Sequence, residues 1–365
     1  MISVLALVSC GTSQQVPLEN YREIIDVKRD EAVVMQLADT HWNISTNISK
    51  YEAYYRHLVK DIVKPDLIVL TGDNVLMATK DTVIKQVAVL DSLDVPYTFT
   101  FGNHDYQGLY SIDWLLNTLE NGKNSLFVYQ KDDIDGNGNQ LVTFTNGGKA
   151  LWEVYMVDTN SYRETGSTYD YSTIQENQVE WMKEEKALSK EKYGEIPPAI
   201  SFSHIPLWET AFAWHNDKDG VLGEMLQKPK KVIPGVSETT GPLPFSPSEQ
   251  ATNYVSEAMK LNTKGFYFGH DHCNDWVGMY EYEGHEASIG FGVKSSRELE
   301  YTTSPKGYEL TGAASYTLRM DGSYTIGHHY LNLDDLTDYH YAEVTLWVNV
   351  GKKSIGYSLD RSSFF

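Results

Sequence analysis

Five short segments of this chain carry oxygen- and nitrogen-bearing side chains at or just beyond the end of an apolar run. The candidate metal ligands in these segments are Asp39, His41, Asp73, Asn103, His204, His270 and His272. Seven such donors are too many for one tetrahedral zinc ion. They suit two cations about 3.5–4 Å apart that share a carboxylate. The pattern therefore predicts a site for two metal ions.

Asp73 is the candidate for the shared carboxylate. It follows a central apolar run and the dipeptide Thr71-Gly72, and a glycine lets the backbone turn tightly and come close to the metals. Two cations lower the pKa of a bridging water towards ~7 and stabilise both the attacking and the departing oxygen of an in-line displacement. Phosphate ester hydrolysis needs that combination, because its uncatalysed rate is among the slowest known.

Three of the segments end apolar runs in the first third of the chain, namely VVMQLADTH, DLIVLTGDN and YTFTFGNHD. Continuous apolar runs are typical of buried parallel strands, and ligands of open α/β sheets gather at the carboxyl ends of such strands. Residues 49–63 and 79–93, which lie between the runs, have helical spacing. We therefore predict an α/β fold that begins with a βαβαβ unit and right-handed crossovers.

The remaining chain is predicted to add further strands. Apolar runs at 198–202 and 265–268 end in Ser203-His204 and Gly269-His270, so they bring the other candidate ligands to strand ends. The alternating pattern after Trp276 is typical of antiparallel strands.

A Gly- and Asn-rich stretch at 133–139 is predicted to be the turn of a hairpin with arms at 126–129 and 141–144. It imitates the start of a calcium loop, but Phe144 stands where that loop needs a glutamate. A hairpin turn is therefore the favoured interpretation.

Length and charge limit the classes of partner. The 365 residues contain no internal repeat or clear linker, so we predict a single domain over residues 21–365. The net charge of -20 disfavours nucleic acid polymers and anionic membrane surfaces. It would also repel a small phosphorylated substrate unless bound cations reverse the local potential. Nothing in the sequence indicates the oligomeric state.

Cysteine content limits the metal chemistry. Cys10 and Cys273 are the only two cysteines, so the chain has no disulfide framework and no cysteine-based zinc site. Any metal must be held by nitrogen and oxygen, which favours two divalent or mixed-valence ions of Fe, Mn or Zn.

The first residues, MISVLALVSCGTSQQ, form a short apolar run followed by a polar stretch. Residues 1–20 are therefore predicted to be an export signal or a lipoprotein-type leader and tether. In the second case Cys10 would carry a lipid anchor. The predicted location is secreted or in the cell envelope, with a cytoplasmic location as the alternative. The sequence contains no run of ~20 apolar residues, so we predict no transmembrane segment.

The order of the motifs resembles a known family. Asp39-x-His41, Gly72-Asp73-Asn74, Gly102-Asn103-His104-Asp105, Ser203-His204 and Gly269-His270-x-His272 are similar to the blocks of the calcineurin-like metallophosphoesterase superfamily, over roughly residues 33–274. The motifs together with their flanking residues (GNHDYQG, FSHIPLWE and GHDHCND) resemble the branch that contains Dcr2-type phosphatases and plant purple-acid-phosphatase-like proteins. This resemblance implies a β-sandwich of two mixed sheets flanked by helices.

The resemblance also implies roles for the candidate residues. The first metal ion would be held by Asp39, His41, Asp73 and His272. The second would be held by Asp73, Asn103, His204 and His270. His104 would contact the phosphate and protonate or stabilise the leaving group, and Asp105 would orient it. A histidine suits this role because an unperturbed imidazole titrates near working pH.

The implied function is a metal-dependent phosphoric ester hydrolase, in which a metal-bridging hydroxide attacks phosphorus. A phosphomonoesterase is favoured, and a phosphodiesterase that acts on nucleotides or lipid head groups is the alternative. A non-catalytic, metal-stabilised surface binding protein is a third hypothesis.

Purple acid phosphatases place a tyrosine ligand three residues after the bridging aspartate, where this chain has Leu76. The protein should therefore not be purple.

Overall fold

A computed structural model describes residues 22–129, 134–165, 168–215, 247–248, 250, 252–299, 301, 303, 309–348 and 355–359. The predicted leader with Cys10 lies outside these residues. In the described part of the chain, no helix is long and apolar enough to cross a membrane.

Most of the strands belong to two large sheets. In chain order the strands are β1 (Arg22–Asp26), β2 (Glu31–Leu37), β3 (Leu67–Thr71), β4 (Tyr97–Thr100), β5 (Gln140–Asn146), β6 (Lys149–Met156), β7 (Tyr162–Thr165), β8 (Thr168–Tyr171), β9 (Ala199–Phe202), β10 (Thr263–Phe268), β11 (Val277–Tyr282), β12 (His285–Phe291), β13 (Gly312–Arg319), β14 (Tyr324–Leu331), β15 (Asp338–Val348) and β16 (Ile355–Leu359).

Six α-helices connect or flank the strands within the described ranges. They are α1 (Ile48–His57), α2 (Lys80–Ser92), α3 (Ile112–Glu120), α4 (Glu176–Tyr193), α5 (Glu209–His215) and α6 (Tyr254–Lys260). A π-helical turn, Leu58–Val63, continues α1. Side-chain caps begin the first two helices, because Asn47 accepts from the main-chain N–H of Lys50 and Thr79 accepts from that of Thr82.

Two seven-stranded mixed sheets result, with strand orders β1-β5-β6-β9-β10-β12-β11 and β16-β15-β14-β13-β2-β3-β4. Strands β2, β3 and β4 are parallel to one another, as the apolar runs predict. Strands β9 and β10 are parallel in the other sheet. Strands β7 and β8 form a separate two-stranded ribbon.

Three layers of apolar side chains hold the sheets and helices together. Alternate residues of β2 face opposite sides, so Val34 packs between the two sheets while Met35 packs towards α1 and α2. Strand β6 repeats this pattern, with Val154 between the sheets and Tyr155 towards α4 and α6. The fold is therefore a β-sandwich of two mixed sheets flanked by helices.

The predicted hairpin with arms at 126–129 and 141–144 is wrong, and residues 130–133 lie outside the described part. Strand β5 instead pairs with β6, and Gly147-Gly148 closes that hairpin. Both glycines have positive φ, 57° and 85°, which a tight two-residue turn between twisted strands requires.

Candidate metal centre

The candidate ligands lie in loops that leave the carboxyl ends of five strands. Asp39 and His41 follow β2, Asp73 follows β3 and Asn103 follows β4. In the other sheet, His204 follows β9, while His270 and His272 follow β10. Since each strand set is parallel, its ends open on one edge, and the sandwich brings the two edges together.

Six of the seven candidates form two groups that share one residue. The first group is Asp39, His41, Asp73 and His272, and the second is Asp73, His204 and His270. Within each group, one ligand atom from every residue lies within 4.8 Å of the others. Oδ1 of Asn103 lies 3.3 Å from Nε2 of His204, which places the seventh candidate beside the second group.

Asp73 directs one carboxylate oxygen to each group. Its Oδ2 lies 3.3 Å from Nε2 of His41, and its Oδ1 lies 3.4 Å from Nε2 of His204. Burial by itself raises the pKa of this carboxyl, but the imidazoles of His204 and His41 outweigh it and hold the pKa of Asp73 well below its usual range. The residue is therefore ionised and suited to bridge two cations.

Four of the candidate ligands have left-handed backbone conformations. The φ angles are 53° at Asp39, 47° at His41, 47° at Asp73 and 74° at His270. Such conformations are uncommon for residues other than glycine and cost of order 1–3 kcal/mol each, although Asp and His are several-fold enriched there. This concentration of strain at one edge is typical of a functional site.

Two glycines let the loops approach one another. A Cβ at Gly72 would lie 2.5 Å from Cγ of His204, and Gly72 itself has a φ of 82°. A Cβ at Gly102 would lie 2.3 Å from Oδ1 of Asp73 and 2.6 Å from Nε2 of His204. The donor atoms can therefore converge only because these positions lack side chains.

Hydrogen bonds fix the orientation of the donors. Nδ1 of His204 donates to the carbonyl oxygen of Thr71 at 2.9 Å, which leaves Nε2 directed at Asp73 and Asn103. The main-chain N–H of His270 donates to Oδ1 of Asp39 at 2.9 Å. Such outer contacts select the tautomer of a histidine ligand and its ring orientation.

Two histidines of the site have the protonation state that metal binding requires, whereas Asp73 outweighs burial and raises the pKa of His204 to about 10, so that ring must lose a proton when metal binds. Burial, with a contribution from His204, lowers the pKa of His270 to about 3. Burial and Lys294 lower the pKa of His272 to about 2. Both imidazoles are therefore neutral at ordinary pH, and a neutral imidazole is the form that binds metal.

The residues also pass a simple test of fit to a pair of cations. Nδ1 of His272 is buried and has no hydrogen-bond partner among the described residues. An orphaned imidazole nitrogen is costly in a protein interior. A buried carboxylate pair, imidazoles and an amide oxygen form a donor set that suits Zn, Mn or Fe.

His104 is more open to solvent than the candidate for the shared carboxylate. Its side chain is 26% exposed, whereas that of Asp73 is 1% exposed. Its Nε2 lies 3.9 Å from Oδ2 of Asp73. This imidazole can therefore contact a molecule that approaches the metal groups from solvent.

The prediction that Asp105 orients His104 is wrong. Asp105 does not orient this ring, because its carboxylate accepts from the main-chain N–H of Gly102 at 2.8 Å and from that of Val75 at 3.0 Å. Nδ1 of His104 instead donates to Oε1 of Gln107 at 2.8 Å. A three-residue 3₁₀ turn, Asp105–Gln107, brings position i+3 back to the ring. That spacing is the signal that identifies Gln107.

Sequence reasoning missed Lys294, which lies in the loop after β12. Its Nζ donates to the carbonyl oxygen of Asp39 at 3.2 Å and lies 3.1 Å from Nδ1 of His41. Burial lowers the pKa of Lys294 to about 8. Sequence offered no signal for it beyond a lone lysine in a small-residue stretch after an apolar run, VKSS.

A family comparison agrees with this geometry. The family model for calcineurin-like phosphoesterases matches residues 32–274, which is more than half of the chain. The chain belongs to the calcineurin-like phosphoesterase family. All five candidate segments fall within the matched residues, so the family and the two metal groups concern the same part of the molecule.

Relatives among characterised sequences are distant. The chain is 26% identical to "Phosphatase DCR2" of Saccharomyces cerevisiae over 67% of its own length and 44% of that protein. It is 25% identical to "Probable inactive purple acid phosphatase 29" of Arabidopsis thaliana over 59% of its own length and 56% of that protein. The chain thus spans about half the length of these two relatives.

Among solved structures, the chain is similar to a dimetal phosphatase from Danio rerio. The TM-score is 0.47 with 14% sequence identity, and the match covers 81% of this chain and 95% of that one.

Proposed function

We propose that this protein hydrolyses phosphate esters, and phosphomonoesters in preference, at a pair of metal ions that share Asp73. The observation that carries the proposal is the division of the Asp73 carboxylate, with one oxygen directed to His41 and the other to His204. A partly exposed imidazole, His104, lies beside this carboxylate. A shared carboxylate suits hydrolysis at two metals, and an accessible imidazole beside it can serve as a general acid.

The residues divide into two ligand sets in this proposal. One ion would be held by Asp39, His41, Asp73 and His272, and the other by Asp73, Asn103, His204 and His270. When bound, such a pair acidifies a shared water and neutralises charge on the phosphate. The left-handed loops and the hydrogen bond from His204 to Thr71 hold the donors in place before any ion binds.

His104 has the role of proton donor to the leaving oxygen. Gln107 accepts a hydrogen bond from Nδ1, so the proton that the imidazolium gives up comes from Nε2, the atom nearer Asp73. The buried position of Asp105 supports a different role for that residue. Its carboxylate ties the loop after β4 to the loop after β3, through Gly102 and Val75.

Reconstitution tests the proposal. Protein freed of metal by a chelator is assayed on p-nitrophenyl phosphate and bis(p-nitrophenyl) phosphate, alone and after addition of Zn, Mn or Fe. We expect turnover to return only with metal and to be faster on the monoester. A faster diester reaction would instead identify a phosphodiesterase. Stabilisation by metal with no turnover on any ester would favour the non-catalytic binding protein.

The relatives give mixed support on catalysis. One is named a phosphatase, and another carries the word inactive in its name. The present chain has all seven proposed ligands and His104, which supports activity. Export and lipidation at Cys10 stay predictions from the sequence, because that segment lies outside the described residues.

A further inference from the structure

A two-stranded ribbon places a pair of aromatic rings beside the metal groups. Strands β7 and β8 pair Tyr162 with Tyr171 directly across the ribbon. The two rings are stacked, with centroids 5.4 Å apart and planes 27° from parallel. The next pair is joined by an ion pair, because Arg163 lies 2.6 Å from Asp170. The ribbon therefore holds the two rings as one surface.

This aromatic surface contacts two of the proposed ligands. Nδ2 of Asn103 donates to the hydroxyl oxygen of Tyr162 at 3.0 Å. The ring of Tyr171 lies edge-on to the imidazole of His270, with centroids 4.4 Å apart. Both contacts belong to the side of the site that Asn103 and His270 form, so a phosphate bound there would have the tyrosine pair next to it.

Tyr162 stays open to solvent although it contacts the site. It is 45% exposed, whereas most large aromatic side chains of the described residues are buried. An exposed ring held rigidly by a stacked partner and a hydrogen bond has lost its freedom before any ligand arrives. Such a surface is suited to a second planar ring.

We propose that Tyr162 and Tyr171 form a binding surface for an aromatic group attached directly to the ester oxygen of the substrate. The inference rests on the proposed function and narrows its substrate class to aryl phosphates. A ring bonded to that oxygen is close to the phosphate. It can therefore lie against Tyr162, which contacts the proposed metal ligand Asn103. Stacking of this kind changes affinity by a factor of roughly 2 to 10.

The hydroxyl and the ring of Tyr162 have separable roles. The hydroxyl accepts from Asn103 and so keeps the amide oxygen directed towards the second group, whereas the ring supplies the stacking surface. Tyr162→Phe removes the first contact and keeps the second. Tyr162→Leu removes both.

Binding of non-hydrolysable phosphonates to the metal-loaded protein tests the inference without relying on turnover. Calorimetry compares benzylphosphonate, in which a methylene replaces the ester oxygen of an aryl phosphate, with ethylphosphonate for wild type, Tyr162→Leu and Tyr162→Phe. Tyr282→Leu is the matched control. Tyr282 is a tyrosine at the end of β11 that packs against the layer of apolar side chains beneath α4 and α6. Thermal unfolding confirms that each variant is folded.

We expect wild type to bind benzylphosphonate roughly 2 to 10 times more tightly than ethylphosphonate. Tyr162→Leu should lose this preference, while Tyr162→Phe and Tyr282→Leu keep it. Because Tyr162→Leu and Tyr162→Phe both lack the hydroxyl contact to Asn103, their affinities for ethylphosphonate should agree within about twofold. Tyr162→Phe should still weaken binding of the second metal ion, through Asn103.

Two results would overturn the inference. The first is equal affinity of wild type for the two phosphonates, which needs no variant and no activity. The second is an equal loss of both affinities in Tyr162→Leu. If the preference is present but no ester is hydrolysed, the proposed function fails while the aromatic binding surface stands.

Discussion

The main-chain N–H of His104 donates to Oδ1 of Asp73 at 2.8 Å. The loop that presents the partly exposed imidazole therefore also holds the carboxylate that the two metal groups share. A displacement of either residue must disturb the other, because one hydrogen bond joins them. Metal binding and proton donation are thus expected to depend on the same few loop contacts.

Gly102→Ala tests how closely the loops must approach. The added Cβ would lie 2.3 Å from Oδ1 of Asp73, so either the carboxylate or the loop has to move. We expect metal affinity to fall at least about tenfold although no donor is changed, with a stability loss of about 1–3 kcal/mol. Gly147→Ala is the control for metal affinity alone, since open space surrounds that position and its positive φ of 57° makes the substitution costly to stability without a contact to the metal groups. Unchanged metal affinity in Gly102→Ala would refute the predicted crowding.

His104→Ala separates proton donation from metal binding. The metal content should stay near two ions while kcat falls by the ~10²–10⁴ typical of a lost general acid. Gln107→Ala should lower kcat by a smaller factor, roughly 2 to 10, since it removes one orienting hydrogen bond. Loss of metal from His104→Ala would instead make His104 a ligand.

A buried ion pair between β6 and α4 offers a test of stability remote from the loops. Nζ of Lys186 lies 3.2 Å from Oε2 of Glu153, and both side chains are fully buried. Burial lowers the pKa of Lys186, although Glu153 partly compensates. Lys186→Met should reduce the free energy of unfolding by about 3–5 kcal/mol, because the buried carboxylate of Glu153 loses its counter-ion and keeps only the hydroxyl donors of Tyr155 and Ser189.

The matched control for Lys186→Met is Lys85→Met. Lys85 pairs with Asp81 on the exposed face of α2, where such a pair contributes about 0.3–0.5 kcal/mol. Chemical denaturation gives the free energy of unfolding of both variants and of wild type. Similar losses in the two would contradict the account of the buried pair.

Glu209 provides a pH test. Burial raises the pKa of its carboxyl from 4.5 to about 7, and its Oε2 has no hydrogen-bond partner in the described part of the chain. Between these two values the folded state retains a proton that the unfolded state has lost, so stability falls as pH rises from 4.5 to about 7.

Glu209→Gln should remove this contribution. The stability difference between mildly acidic and mildly alkaline pH should shrink by up to about 3 kcal/mol relative to wild type. Urea unfolding at several pH values measures the two proteins side by side, so other titrating groups cancel. Superimposable pH profiles would show that Glu209 is not the group responsible.

The convergence of the candidate ligands could be predicted from sequence because it depends on strand ends. Apolar runs place β2, β3 and β4, and the donors that follow them must share an edge if those strands are parallel. The motif order then extended the same reasoning to β9 and β10. Spacing along the chain was sufficient for these residues.

The contacts that sequence missed are set by turns and by tertiary packing. Gln107 takes the place expected of Asp105 because a 3₁₀ turn returns it to His104. Tyr162 approaches Asn103 through a ribbon inserted between β6 and α4, and no local pattern specifies that distance. The failed hairpin at 126–129 has the same origin, since a strand's partner depends on the whole sheet.

Metal binding by wild type and Asp73→Asn tests the central claim most directly. Calorimetric titration of the metal-free proteins, with elemental analysis of the loaded ones, gives the number of ions and their affinities. We predict two ions in wild type and a weakened pair in Asp73→Asn, because the substitution removes the charge that both groups share. Two ions bound to Asp73→Asn with wild-type affinity would contradict the account.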